Sequence, residues 1–320
     1  MKSPAAVTEL PRPARYFPID PGRYELAPGL HALGQDFGNG EQDEKIFQID
    51  REFPRFRQSK LEARRERLSK YFATHELAPE VERAVGSFMA GRMAADAPAC
   101  FALEGSRLEC RLTSETIELS GAPPPPYASA LDALCCQVQE DVAILSTGEG
   151  GKNWLSALHL CSPENWGAEE KIGKSFFDIH APVPHIERIT RGAEAFVDAM
   201  VNKGPFVPFL WGFVPSDKLN RQREPAPGIP LEEWMGGGFD FSVPEPRCFL
   251  RVERQTMHGL PDVGAAIFTI RIHLTPASEI RRDPAKRDAL ASGLRAMRPE
   301  TIAYKRLARD LPAILSWLEA

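Results

Sequence analysis

The chain has no Cys-x-x-Cys pair, no excess of basic residues and no apolar run approaching the roughly 18 residues that a bilayer span needs. Each absence removes a class of function. The six cysteines, Cys100, Cys110, Cys135, Cys136, Cys161 and Cys248, carry the spacing of neither an iron–sulfur cluster nor a structural zinc, so they are expected as buried, reduced thiols. Lys plus Arg total 39 against 44 for Asp plus Glu, and a net charge of -5 gives no general attraction for a phosphate backbone; nucleic acid is not an expected partner. Residues 1–15 lack the apolar stretch of a signal peptide, so the expected location is the cytoplasm, with no membrane partner. Also missing are G-x-S-x-G, G-x-x-x-x-G-K and a G-x-G-x-x-G after a strand, the marks of a nucleophile elbow, a phosphate-binding loop and a dinucleotide fold.

What is there is a 320-residue chain, 43% hydrophobic and 26% charged, with 29 prolines, the profile of a compact protein with long Pro-rich loops. Segment 11–50 is rich in Pro, Gly and Asp, with aromatics at Tyr16, Phe17, Phe37 and Phe47, and reads as an irregular arm packed over something else. From Arg57 to Thr74, Glu62 and Glu66 alternate with Lys60, Arg64, Arg65, Arg67 and Lys70, which predicts an exposed helix whose basic face is solvated or a docking surface. A second helix starts at Pro79 with Val81, Val85, Phe88 and Met89 on one stripe. A short hairpin broken at Gly105 follows, and the proline run 123–126 is the best boundary in the chain.

Beyond that boundary the pattern predicts strands over 142–145 and 154–161, joined by the Gly-rich turn 147–151. A helical stretch over 169–178 is stopped by His180-Ala181-Pro182-Val183-Pro184, and a helix restarts at Pro184 with Ile186, Ile189, Phe196 and Met200. A strand over 206–213 leads into the Pro-rich loop 214–247, read as a lid or docking loop. Strands over 249–256 and 265–274 alternate strictly, with Leu250, Val252, Phe268, Ile270 and Ile272 assigned to the core. Arg251, Glu253 and Gln255 are assigned to the other face with Thr269, Arg271 and His273. Helices from Pro284 and Pro299 cap the sheet. A hairpin first and a meander last is the strand order of a PAS domain. The expected fold is therefore α+β: a PAS-like antiparallel five-stranded sheet with helices on one face at 127–276. An N-terminal arm, helices and hairpin at 1–126 precede it, and C-terminal capping helices at 277–320 follow.

Among the seven histidines, His180 stands out because prolines fix the backbone beyond it and the preceding helix presents Phe176 and Phe177. A rigid imidazole beside aromatic rings suits an axial haem ligand, although a histidine at this position can equally cap a helix. His159, on an apolar strand, is the rival ligand or a core histidine. Lys171 and Lys174, with Arg188 and Arg191, are placed to meet haem propionates or are ordinary surface charge. The row Arg251, Glu253, Gln255 is a solvated face, or it lines a pocket in which Glu253 holds a protonated amine.

The motifs His180-Ala181-Pro182-Val183-Pro184, Leu250-Arg251-Val252-Glu253-Arg254-Gln255-Thr256 and Leu158-His159-Leu160-Cys161-Ser162-Pro163 carry a resemblance that runs from about Tyr16 to the C-terminal helices. Glu170-Lys171-Ile172-Gly173-Lys174 and Phe268-Thr269-Ile270-Arg271 belong to it as well. The chain resembles the haem-dependent oxidative N-demethylase alpha-subunit-like family. That resemblance implies a PAS fold holding haem b, and a monooxygenase-type oxidoreductase that uses dioxygen to remove a methyl group from a small secondary alkylamine such as dimethylamine, releasing formaldehyde. It further implies electrons from NADPH through separate flavin and iron–sulfur (ferredoxin-type) reductase subunits. Carried onto this sequence, it makes His180 the iron ligand and Glu253 with Arg254 the catalytic polar pair. Trp154, Phe176 and Phe177 then pack the porphyrin, Lys171 and Lys174 approach the propionates, and His159 remains the alternative ligand. A haem or small-ligand PAS sensor without turnover is the competing reading.

Overall fold

A computed structural model describes residues 10–26, 29–123, 125–185, 191–243 and 245–320. In chain order the main elements are β1 (His31–Ala32), α1 (Phe53–Tyr71), β2 (Phe72–Thr74), α2 (Pro79–Asp96), β3 (Phe101–Glu104), β4 (Arg107–Cys110), β5 (Glu115–Glu118) and α3 (Ala130–Cys135). Then come β6 (Asp141–Thr147), β7 (Asn153–His159), α4 (Ala168–Lys171), α5 (Phe176–His180), α6 (Ala193–Asn202), β8 (Phe206–Val207), β9 (Phe209–Val214) and α7 (Leu231–Trp234). The chain closes with β10 (Phe249–Leu260), β11 (Ala265–Pro276), α8 (Ala277–Arg281), α9 (Pro284–Arg295), α10 (Pro299–Tyr304) and α11 (Leu311–Glu319).

The α+β class with antiparallel sheets stands, but the five-stranded sheet does not. The main sheet has eight strands in the order β1-β8-β10-β11-β6-β7-β2, with β9 also paired to β10. β1 and β2 come from the segment before residue 127 and extend the sheet at both ends, because short extended pieces there satisfy edge carbonyls and amides that would otherwise face solvent. The five expected strands run β7-β6-β11-β10-β9 within it, with the β6–β7 hairpin first and the β9–β10–β11 meander last. A separate sheet β3-β4-β5 replaces the single hairpin predicted around Gly105.

Helices cover both faces, not one. Val81, Val85 and Met89 of α2, at the predicted spacing, and Leu131 and Leu134 of α3 pack on Val142, Ile144, Ala157 and Ile267. On the opposite face Val197, Met200 and Val201 of α6 and Phe176 of α5 pack on Leu145, Met257 and Ala266. The predicted helix over 169–178 is two short ones, interrupted where Gly173 adopts φ +76°, and α5 ends at His180, ahead of the prolines. Ile186 and Ile189, expected in the next helix, lie outside the described residues.

The basic face of α1 is the largest departure. Lys60 and Lys70 are fully buried and Arg57 nearly so. Lys60 donates to the carbonyls of Cys135 (2.8 Å) and Glu140 (2.5 Å), and Arg57 to that of Cys136 (2.6 Å). These carbonyls end α3 and lead into β6, so they need donors in a dry interior, and charged donors serve best. Segment 214–247 is likewise anchored in part: Trp234 Nε1 donates to the Gln222 carbonyl at 2.7 Å, and Asn220 Nδ2 to the Tyr71 hydroxyl at 3.1 Å. No helix among the described residues is long and apolar enough to cross a membrane.

Gly259 fixes how closely α6 approaches β10, since a Cβ there would lie 1.9 Å from the Val201 carbonyl oxygen. Gly259→Ala is expected to lower the free energy of unfolding by about 1–3 kcal/mol through overpacking. Urea titration reads this directly, and an unchanged midpoint would refute the close approach.

Candidate functional site

Which side chains can act together is decided by the pairing of β10 with β11. Glu253 stands opposite Ile272 and Arg254 opposite Arg271. Successive strand residues point to opposite faces, so Arg251, Glu253 and Gln255 share a face with Phe268, Ile270 and Ile272, the face covered by α5 and α6. Arg254 shares the other face with Thr256, Thr269, Arg271 and His273. The expected alternation, which set Thr269, Arg271 and His273 beside Glu253, is therefore corrected. The turn over Pro261–Val263 and Gly264 sets a register that pairs odd positions of β10 with even positions of β11. The same geometry separates Glu253 from Arg254, which cannot form one catalytic pair.

On the first face Arg251 Nε lies 3.7 Å from Glu253 Oε1, and Gln255 Nε2 donates to Glu253 Oε2 at 3.3 Å. Glu164 adds a second carboxylate, its Oε2 at 3.2 Å from both Arg221 Nε and Arg251 Nε. Lys305 completes the cluster: burial opposes its charge, but Tyr24, Glu253, Glu164 and Tyr304 outweigh that and hold its ammonium above the usual range. On the second face Arg254 and Arg271 are each 1% exposed. Arg271 Nη2 donates to Asp50 Oδ2 at 2.8 Å, and Arg254 Nη2 donates to the carbonyls of Asp43 (3.2 Å) and Lys45 (2.8 Å). These two guanidiniums fasten segment 43–50 to the sheet.

His180 closes α5, whose N-terminus Ser175 caps by accepting from the Asp178 amide at 3.1 Å. Its Nδ1 is 2.7 Å from the Phe176 carbonyl, and its ring lies 4.3 Å from the Phe176 ring. A carbonyl can only accept, so the proton sits on Nδ1 and the Nε2 lone pair is left for a ligand. Burial holds this imidazole below its ordinary pKa and Lys171 adds to that, against the opposing pull of the Phe176 carbonyl. His159 pairs with Val142 on the other face, buried among Asp132, Cys136 and Cys161, so it cannot share a site with His180.

Lys171, Phe176 and His180 come together around α5. Lys171, however, donates to the Ile179 carbonyl and lies 6.0 Å from the Trp166 ring centroid. Phe177 turns outward, Lys174 is exposed, and Trp154 sits under the Lys152 ammonium at 5.0 Å. Arg188 lies outside the described residues.

A cavity of about 850 Å³ opens beside these elements, walled by Tyr16, Phe17, His31 and Phe37 of the arm together with Phe196 of α6 and Trp211 of β9. It falls within the roughly 300–1,000 Å³ of small-molecule and cofactor sites. Phe196 also packs on Phe176 at 5.1 Å, which joins this wall to the His180 helix. His31 was not singled out from sequence, since nothing in its neighbours marks it; its Nδ1 is 3.2 Å from Gln35 Oε1.

Comparison with known families gives a match to the haem-dependent oxidative N-demethylase, alpha subunit-like model over residues 39–315. The chain belongs to this family. It is accordingly placed among haem-dependent oxidoreductases, and the His180 region can be tested against that group. An axial ligand must be neutral and oriented through its second nitrogen. His180 meets both conditions and has the Phe176 ring against it, so the residues present fit a family member's haem. Trp154 and Lys174 add nothing visible to that fit.

The Arg271–Asp50 pair makes a stability prediction on the second face. Asp50→Asn leaves a guanidinium buried without its counter-charge and is expected to cost about 3–5 kcal/mol, whereas replacing both partners by apolar residues costs less. Denaturant unfolding of the single and double variants checks this; equal losses would contradict it.

Proposed function

We propose that this family member binds haem b through His180 Nε2 and oxidatively N-demethylates a small secondary alkylamine with dioxygen. Electrons would come from NADPH by way of flavin and iron–sulfur partner subunits. The observation that carries the reading is the His180 imidazole, neutral and held by the Phe176 carbonyl at 2.7 Å, within a chain matched over residues 39–315 to a haem-dependent family. The hairpin-first, meander-last order of β6, β7, β9, β10 and β11 supports a PAS-like core inside the larger sheet.

Bound there, haem supplies the oxygen chemistry that hydroxylates an N-methyl carbon, and the carbinolamine product falls apart to amine and formaldehyde. The chain's own contribution is placement. Phe176, itself backed by Phe196, packs on the imidazole, and the carbonyl of Phe176 fixes its ring plane. Glu253 is the carboxylate assigned to a protonated amine. It lies on the face that α5 and α6 cover, its side chain is 21% exposed, and its ion pair with Arg251 is long enough to be exchanged. Arg254, on the opposite face, has no part in this assignment.

Purified protein titrated with hemin is expected to develop a Soret band that His180→Ala removes or shifts strongly. A band unchanged in that variant overturns the ligand and points to His31 in the aromatic cavity. Because the folded-state pKa of His180 lies below the ordinary imidazole value of about 6.5, hemin affinity should stay level as pH falls from 8 to that value. It should weaken only in more acid solution, where a proton takes Nε2. Amine-dependent dioxygen consumption with formaldehyde release tests turnover, and a haem spectrum with neither leaves the sensor reading. Glu253→Gln is expected to lower amine use about tenfold or more, a loss of roughly 1.4 kcal/mol in transition-state binding, while sparing haem uptake. Equal loss of both would make Glu253 structural.

A further inference from the structure

The buried cluster around His159 brings an imidazole, a carboxylate and a thiol within reach of one ion. Nε2 lies 3.5 Å from Asp132 Oδ1 and 3.6 Å from Cys136 Sγ, and the three atoms lie within 4.8 Å of one another. An N–H···O hydrogen bond spans about 2.7–3.2 Å, so the nitrogen–carboxylate contact is too long for one. Two donors on one tetrahedral zinc, at bond lengths of about 2.0–2.1 Å to nitrogen or oxygen and 2.3 Å to sulfur, stand about 3.4–3.6 Å apart. The two separations from His159 Nε2 match those of ligands around one ion.

We propose that Asp132, Cys136 and His159 form a zinc site that clamps the end of α3 onto β7. All three side chains are at most 1% exposed. A carboxylate and a thiolate supply two negative charges to a 2+ ion in a dry interior, with the Arg64 guanidinium on Asp132 as an added positive charge beside them. The carboxylate is oriented as ligating carboxylates are: Arg64 Nη1 donates to Oδ1 at 2.6 Å and the Ala128 amide to Oδ2 at 2.8 Å. The fourth position is left to water, as in other sites with three protein donors.

The opposite ring nitrogen offers a poorer alternative. Cys161 Sγ is 3.9 Å from Nδ1, and Asp141 already accepts the amides of Cys161 (2.9 Å) and Ser162 (2.7 Å). Cysteine spacing could not disclose the site, because one sulfur, one carboxylate and one imidazole from separate elements supply it.

Full-length protein, expressed with zinc and dialysed against metal-free buffer, is assayed for zinc and iron separately by inductively coupled plasma mass spectrometry. About one zinc per chain is expected whatever the haem content, falling below about one-tenth in Cys136→Ser, which preserves side-chain volume. A strong chelator should lower the melting temperature of the native chain and leave that of Cys136→Ser unchanged. Zinc-free native protein after resupply, or a Cys136→Ser variant that retains the ion, overturns the proposal. If His159→Ala fails to fold, the serine variant and the chelator measurement still decide it.

Discussion

Twelve consecutive residue pairs between β10 and β11, from Phe249↔Pro276 to Leu260↔Ala265, form the constraint on which the site depends. A slip of one residue would exchange the two faces of the strand that moves. If β10 moved, Arg251 and Glu253 would enter the side held by segment 43–50 and Arg254 would meet α5 and α6; if β11 moved, Arg271 would leave Asp50. The buried charges make such a slip costly. Asp50 is held in place by its own partners, with Gln139 Oε1 accepting from its amide at 2.8 Å, and it can neutralise Arg271 in one register only.

That division organises the rest of the molecule. One face collects Glu164, Arg221, Arg251, Glu253 and Lys305, the cluster of opposite charges closest in kind to a site for a charged small molecule. The other face uses its charges to hold backbone: Arg254 binds two carbonyls, Lys60 two and Arg57 one. Guanidinium or ammonium donors aimed at carbonyls satisfy acceptors that irregular chain cannot pair with itself. The buried basic residues of α1 thus serve the same purpose as those of the sheet.

Several elements were legible from sequence because their signals are local. Proline at the first turn and a 3.6-residue stripe mark α2, the Gly-rich turn marks the β6–β7 hairpin, and the prolines after His180 mark the end of α5. The register of β10 on β11 was not legible, since alternation within each strand leaves their relative phase to the turn at 261–264. Nor was the burial of Lys60 and Lys70: charge patterning predicts solvent unless one knows that the carbonyls of Cys135 and Glu140 lie opposite. His180 was readable as a ligand candidate from its rigid surroundings, whereas the separation of Glu253 from Arg254 follows from strand geometry alone and could have been stated from sequence.

The aromatic cavity was hidden because its walls lie far apart in the chain, and its composition bears on how the family core is used here. The family match begins at residue 39, yet Tyr16, Phe17, His31 and Phe37 precede it and face Phe196 and Trp211 from within it. The cavity is therefore built at the junction of the matched core and the arm. Tyr16 couples the two. Its hydroxyl donates to Asp43 Oδ1 at 2.7 Å and accepts from Gln48 Nε2 at 2.8 Å, and its ring meets His273 at 4.8 Å and Phe209 at 5.1 Å. A change in the arm that moves Tyr16 alters the cavity wall and, through Asp43 and Gln48, the segment that Arg254 and Arg271 hold against β10 and β11. Cavity shape and the buried charge network are thus one mechanical unit, and Phe196 of α6 joins that unit to the helices that cover the Glu253 face.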